Sequence, residues 1–344
     1  MKFKKPFFIA EISANHEGSI NKAFSLIKSA KRYGADAVKL QTFTPATMTL
    51  DSKKDFFKIK SGLWKGKYLW DLYDNAKTPL EWHKKLFKLG KKIGIKVFST
   101  PFDETAVDFL EKLNCPFYKV SSFEMTDLGL IKKISQTGKP IIISTGTSSL
   151  DEIERSYEAA KKFGSKDISL LYCVSNYPAK ISDFNLNNIK ILKKNFNCKV
   201  GLSDHSKTHS VAAAAALVGA EIFEKHICLK NSHSLDSSFS ISGKDILKYK
   251  KAINQSYALL GKDFFFRNSE EKKSLKFRKS IWVIKKIKKG EKFTNKNIKK
   301  LRPGNGASVA FYDTLIGKKS PFNLINNSPL NNLILNKLKI KKYI

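Results

Sequence analysis

Residues 199–226 read KVGLSDHSKTHSVAAAAALVGAEIFEKH. Two apolar runs of strand character, Val200–His205 and Glu221–His226, each close on a histidine, and a stretch of helical character, Thr208–Ala220, joins them. Read as neighbouring parallel strands about 4.8 Å apart, the runs bring His205 and His226 to a shared carboxyl end. Both imidazoles can then reach one metal ion through bonds of about 2.0–2.1 Å. Imidazoles with few thiolates nearby suit a divalent ion such as manganese or zinc. Asp204 and Glu224 flank the pair, either as part of the site or as local structure.

The same alternation extends outward over about 260 residues. Strands are expected at Phe7–Ser13, Ala37–Gln41, Lys96–Thr100, Phe117–Ser122, Pro140–Thr145, Ile168–Cys173, Lys199–Ser203 and Glu221–His226. Between them, segments such as Asn21–Tyr33, Thr105–Leu113, Leu150–Phe163 and Leu186–Asn195 carry apolar residues at helical spacing. Gly34, Gly94, Gly138, Gly164 and Gly219 stand where helices end. Eight such units predict a (β/α)8 barrel over residues 1–262. The second unit carries an insertion, Phe43 to Thr78, rich in Trp, Tyr and Lys, which reads as a lid or binding loop. Residues 263–279 read as a polar linker and 280–344 as a small β-rich domain, with a frayed tail from Lys337 to Ile344.

Composition narrows the partners. The chain of 344 residues carries a formal charge of +34, yet of its 64 basic residues only Arg32, Arg155, Arg267, Arg278 and Arg302 are arginine. The lysines scatter over every expected helix, without the arginine cluster or continuous stripe that nucleic acid demands. No nucleic-acid partner is expected; the charge reads first as a compositional bias toward lysine, with steering of a small anionic substrate as the functional alternative. Cys115, Cys173, Cys198 and Cys228 show no metal-binding spacing and read as buried free thiols of a reducing compartment. Met1–Lys5 imitates a basic signal, but the apolar run behind it is short and broken by Glu11; Val211–Ala220 is too short to span a bilayer. A cytoplasmic protein with no membrane partner is expected.

Active sites of (β/α)8 barrels lie at the carboxyl ends of the strands. Here polar residues recur at those ends: Glu11, Ser13 and His16; Lys39 and Gln41; Lys119, Ser121, Ser122 and Glu124; Ser144; Ser175 and Tyr177; Ser203 and His205; His226. Lys39 and Lys119 interrupt apolar strands, where an unpaired ammonium is costly. With the hydroxyls of Ser122, Ser144 and Ser203 they form a candidate site for a compact anion bearing phosphate and carboxylate. His16 could orient the first loop, and His83, His209 and His233 read as surface or packing residues.

The strings AEISANHEGS (10–19), VKLQTF (38–43), YKVSSFE (118–124), IISTG (142–146), NYP (176–178), GLSDH (201–205) and EKH (224–226) resemble the sialic acid synthase family, and KKGEKFTNKNIKKLRPGNG (288–306) resembles its antifreeze-like (SAF) domain. LWKGKYLWDLYDNAKTPLEWH (63–83) and Ser175 look most like the pseudaminic acid branch. The resemblance implies condensation of phosphoenolpyruvate with an N-acetylated amino sugar, 2,4-diacetamido-2,4,6-trideoxy-L-altrose. It implies that Lys39, Lys119, Ser122, Ser144, Ser175 and Ser203 hold phosphoenolpyruvate, and that His205 and His226 hold a divalent metal: manganese first, with magnesium, cobalt or zinc as alternatives. Glu11, Gln41, Tyr177 and Asp236 would contact the sugar, and Glu124 would support the reacting groups or proton handling. Arg302 would reach an acetamido group from the SAF domain of a partner subunit, so a domain-swapped homodimer is expected. The rivals are the same chemistry on N-acetylmannosamine or the legionaminate precursor, a silent sugar- or ice-binding protein, and an aldolase using Lys119 as a Schiff base.

Overall fold

Apolar residues on both faces of eight short runs make them strands that must be covered inside and out. The computed structural model describes residues 6–340. The strands are β1 Phe7–Glu11, β2 Ala37–Thr42, β3 Lys96–Pro101, β4 Tyr118–Val120, β5 Ile141–Ser144, β6 Ile168–Cys173, β7 Lys199–Asp204 and β8 Ile222–Cys228. All pair in parallel in sequence order, and β8 returns to β1 to close the barrel. β1, β4 and β5 are shorter than expected because the chain leaves the ladder where polar side chains begin. Ser13–His16 is a 3-10 turn, and Ser122 and Thr145 lie beyond their strands.

Helices cover the outside. Ile20–Arg32 buries Ala23, Leu26, Ile27 and Ala30, one face at helical spacing, and the Ser19 side chain caps its first turn. The helix Ser210–Leu217 is shorter than its apolar stretch; its alanines let it pack closely on Lys244–Leu260. At the amino-terminal end the interior is filled by Phe7, Phe98 and Phe117, with the last two ring centroids 4.1 Å apart. In β7 a Cβ on Gly201 would stand 2.1 Å from the carbonyl oxygen of Ile222, so only glycine lets β8 approach there.

Alternation along β7 and β8 separates two jobs. His205 and His226 approach each other, ring centroids 5.5 Å apart, while Asp204 and Lys225 meet in a separate, fully buried pair with Nζ–Oδ2 at 3.7 Å. Lys225 also donates to the carbonyl oxygens of Asp204 and Ser206, and Asp204 Oδ1 accepts from Ser206 N at 2.8 Å. Asp204 is therefore structural and not a flank of the histidine pair. Glu224, two residues from His226, belongs to the inner face.

The insertion is held at both ends by histidines. His83 Nδ1 faces the carbonyl oxygen of Pro79 at 3.1 Å, so Nδ1 carries the proton and Nε2 accepts from Thr42 Oγ1 at 2.9 Å. His16 lies against Thr78 at 3.5 Å and against the Trp82 ring. His83 is thus a buried clamp and not a surface group. Burial lowers both imidazoles to about 4.

The described residues divide into two compact units between Gly261 and Lys262. In the second unit the stretch expected as linker carries a helix, Ser269–Lys273, capped by Asn268, and a 3-10 turn, Ser274–Phe277. Three short antiparallel strands follow, with Ser280–Val283 between Ile298–Leu301 and Ser328–Pro329, around a core of Ile281, Phe293, Leu315 and Leu330. The tail is ordered further than expected: Asn332–Lys337 is a helix, and Ile340 packs on this core. Residues 341–344 of the expected fray, and the basic start Met1–Lys5, lie outside the described residues. All four cysteines are free, with Cys198 only half-buried.

Two outcomes are expected of this framework. Below pH 6.5 the unfolded chain protonates His16 and His83 while the folded chain resists down to about 4. Stability should therefore fall with pH across that window by about 1.4 kcal/mol per pH unit for each imidazole. Urea midpoints at pH 6.5 and 4.5 should differ less for His83→Gln than for the parent, and equal differences would contradict this. Lys225→Met leaves Asp204 buried and unpaired and should cost about 3–5 kcal/mol; a calorimetric melting point unchanged from the parent would remove the pair from the framework.

Candidate active site

Strand register brings the inner residues together. Glu11 is opposite both Lys39 and His226, and Ser203 is opposite Glu224. Lys39 Nζ lies 2.8 Å from Glu11 Oε2 and 3.0 Å from Glu224 Oε1, and Lys119 Nζ lies 3.7 Å from the same Glu224 oxygen. Ser203 Oγ donates to Glu224 Oε1 at 3.2 Å, and Glu11 Oε1 accepts from Ser13 N at 2.6 Å. All four ionisable groups are buried.

Burial disfavours every one of these charges, and mutual attraction decides which survive. Glu224 is held down to about 2 by Lys119 and Lys39, against its burial. Lys39 is raised, Glu11 and Glu224 together outweighing burial. Lys119 is lowered by burial to about 8, with Glu224 opposing, and keeps its charge at neutral pH. Burial pushes Glu11 up to about 7, Lys39 opposing and Glu224 assisting, so it can gain or lose a proton near neutrality.

Beside the lysines lies a hydroxyl cradle. A Cβ on Gly146 would stand 2.3 Å from Ser175 Oγ and 2.8 Å from Ser122 Oγ, so the glycine leaves room for both; its amide donates to Ser122 Oγ at 3.1 Å. Ser144 Oγ, Glu224 Oε2 and His226 Nδ1 are buried without a hydrogen-bond partner among the described residues. Orphaned polar atoms of this kind mark where a polar ligand belongs.

His205 Nδ1 donates to the carbonyl oxygen of Val174 at 2.9 Å, which fixes the ring and leaves Nε2 as acceptor. Burial works against charge on both Cys173 and His205, but the two lie 3.8 Å apart and their attraction lowers the thiol to about 7 and raises the imidazole. His226 is pushed well below its usual range by burial and by the neighbouring cations, so it is neutral and free to ligate. The 5.5 Å ring separation is close to the roughly 5 Å expected of two imidazoles sharing one tetrahedral ion. No cluster of three or more His, Cys, Asp or Glu suited to a metal exists among the described residues. His205 and His226 are the candidate donors for a divalent ion, two imidazoles whose remaining coordination positions would fall to substrate and water.

Above this floor opens a cavity of about 320 Å³. Gln41, Glu124, Tyr177, His226 and Asp236 line its barrel side, and the insertion supplies Met48, Trp64, Leu69 and Leu72. The Tyr177 ring lies tilted between those of His205 and Trp64, with centroids 4.3 and 5.7 Å away. Trp64 Nε1 donates to the carbonyl oxygen of Leu235 at 3.3 Å, so the insertion does fold over the barrel mouth. Asp236 Oδ2 lies 3.8 Å from His226 Nδ1, and Ser121 donates to Glu124. Burial raises both carboxyls. Asn15 fastens the loop that carries Asp236, donating to Ile227 O at 2.8 Å and Ser240 Oγ at 2.9 Å.

Of the expected site residues of the barrel, Glu11, Lys39, Lys119 and Ser203 meet around Glu224 in the charged floor, and Ser122 and Ser175 meet beside Gly146. His205 lies against Tyr177 and His226, and Gln41, Glu124, Tyr177, His226 and Asp236 line the upper cavity. The Ser144 hydroxyl makes no hydrogen bond to any of them. Arg302 is exposed in the second unit, next to Pro303. Gly146 and Trp64 were not singled out as site residues from the sequence, and Glu224 was read there only as a flank of the histidine pair, with a site or a structural role. The signal for Glu224 was its spacing of two from His226, which places both on one face of a strand.

Residues 26–264 match the NeuB family and residues 278–332 the SAF domain. The chain is 43% identical over 329 residues to a pseudaminic acid synthase of Helicobacter pylori, covering 95% of this chain and 96% of that protein. It is 36% identical over 320 residues to an N,N'-diacetyllegionaminic acid synthase of Campylobacter jejuni, covering 92% and 96% respectively. Among solved structures, an N-acetylneuraminic acid synthetase of Leptospira borgpetersenii superposes with a TM-score of 0.70 at 27% identity, over 79% of this chain and 90% of that one.

Proposed function

The chain belongs to the NeuB family, and we propose that it is a pseudaminic acid synthase, joining phosphoenolpyruvate to 2,4-diacetamido-2,4,6-trideoxy-L-altrose with release of phosphate. The observation that carries this reading is the buried Lys39–Glu224–Lys119 cluster at the barrel mouth, beside a hydroxyl cradle and beneath the upper cavity. Two buried lysines charged at neutral pH and the hydroxyls of Ser122, Ser144, Ser175 and Ser203 suit a small molecule carrying phosphate and carboxylate. The greater likeness to pseudaminic than to legionaminic acid synthases favours the altrose acceptor; the legionaminate precursor is the second reading.

The reaction forms a bond between C3 of phosphoenolpyruvate and the sugar aldehyde carbon. Water adds at C2, and the C2–O bond to phosphate then breaks. Lys39 and Lys119 neutralise the anion and fix the enol in the cavity floor, where water-poor surroundings strengthen each contact. Glu11, poised to give or take a proton near neutrality, sits beside Lys39 and serves proton transfer. Gln41, Glu124, Tyr177 and Asp236 orient the sugar from the cavity side. His205 and His226 would hold a divalent ion, manganese foremost, which when bound supplies polarisation of the sugar carbonyl. Arg302 is proposed to reach the sugar from a partner subunit of a domain-swapped homodimer.

Phosphate release from phosphoenolpyruvate with manganese, compared for the altrose sugar, N-acetylmannosamine and the legionaminate precursor, should be fastest with the altrose. His226→Ala and exhaustive chelation should each abolish it, with bound manganese lost in equilibrium dialysis; turnover surviving both would remove the metal from the reading. In sedimentation the active species should be a dimer, and Arg302→Ala should raise KM for the sugar without altering that of phosphoenolpyruvate. A fully active monomer would contradict the swapped arrangement.

A further inference from the structure

The upper cavity is divided by chemistry. Its barrel side presents carboxyl, amide, phenol and imidazole groups beside apolar Phe102, Phe123, Leu235 and Phe239, whereas the insertion brings Met48, Ile59, Trp64, Leu69 and Leu72 with Tyr73 as its one hydroxyl, and no charge. This apolar side is held in place. Trp64 is fixed by its hydrogen bond to Leu235 and its tilted ring contact with Tyr177, Leu72 is buried, and the chain on either side is clamped by His83 through Thr42 and Pro79.

The two ends of an acceptor sugar meet different surroundings here. The reacting carbonyl has to lie by His226 and the lysines, so the far end of the carbon chain falls toward the insertion. In the proposed acceptor that end is a methyl group; in N-acetylmannosamine it is a hydroxymethyl. Resting on the synthase reading above, we infer that the wall of Met48, Ile59, Trp64, Leu69 and Leu72 determines acceptor specificity by seating the C6 methyl of 6-deoxy aldoses. Seated against Met48, Ile59, Leu69 and Leu72, a 6-hydroxyl would find no hydrogen-bond partner and would lose those it makes in water. The wall selects 6-deoxy sugars as a class, and configuration along the chain is read by the polar side.

The test is kcat/KM, by phosphate release with manganese and the full chain, for 2,4-diacetamido-2,4,6-trideoxy-L-altrose and for the same sugar bearing a 6-hydroxyl. The parent should favour the deoxy sugar by about 100-fold, the discrimination an apolar pocket exerts on an added hydroxyl. Met48→Gln and Leu69→Asn, each placing an amide in the wall at a half-buried position, should each reduce that ratio about tenfold. The ratio is internal to each variant, so partial loss of folded protein cancels. Equal efficiency on both sugars in the parent, or a ratio unchanged in both variants, overturns this inference and leaves the synthase reading standing. Phosphate release with neither sugar overturns the synthase reading and this inference together.

Discussion

Four buried ionisable groups, Glu11, Lys39, Glu224 and Lys119, set the terms for the rest of the barrel. An isolated charge in such a place would neutralise itself, and a well-packed apolar cluster of similar volume would often be as stable or more so. The chain keeps the charges by giving Lys39 a carboxylate on each side and letting Glu224 serve both lysines. The arrangement makes sense as a floor for an anion. In the proposed reading an incoming phosphate would take over part of the work of the carboxylates, and Glu11, the acid raised to about 7, would accept a proton as it does so.

Around that floor the strands separate chemistry from support. Successive residues of a strand point to opposite faces, so His205 and His226 form one pair while their neighbours Asp204 and Lys225 tie β7 to β8 as another. Both pairs come from the same two short strings. The motif near the start of the chain divides in a similar way: Glu11 joins the floor, Asn15 fastens the loop bearing Asp236, and His16 steadies the insertion.

The insertion completes the site by adding what a barrel of short loops lacks, an apolar cover. Buried neutral histidines suit its clamp because each supplies one donor and one acceptor. His83 uses both, on Pro79 and Thr42. The cover leaves a cavity with a polar side for orientation and an apolar side for shape, which is the usual division of labour in small-molecule sites.

Periodicity and composition alone determined the eight strands, the helices between them, the two lysines, the paired histidines and the insertion, because these depend on local pattern: period two, helical spacing, and polar residues at strand ends. Strand limits were legible only to a residue or two, since a ladder stops where its partner does. The service of Glu224 to both lysines, the pairing of Asp204 with Lys225, the burial of His83 and the room beside Gly146 were not legible. Tertiary structure decided them: closure of β8 onto β1 brings Glu11 opposite His226, and only that closure tells which charges meet. Such pairings couple residues far apart in the chain, and no local pattern encodes which of two buried carboxylates will find a lysine.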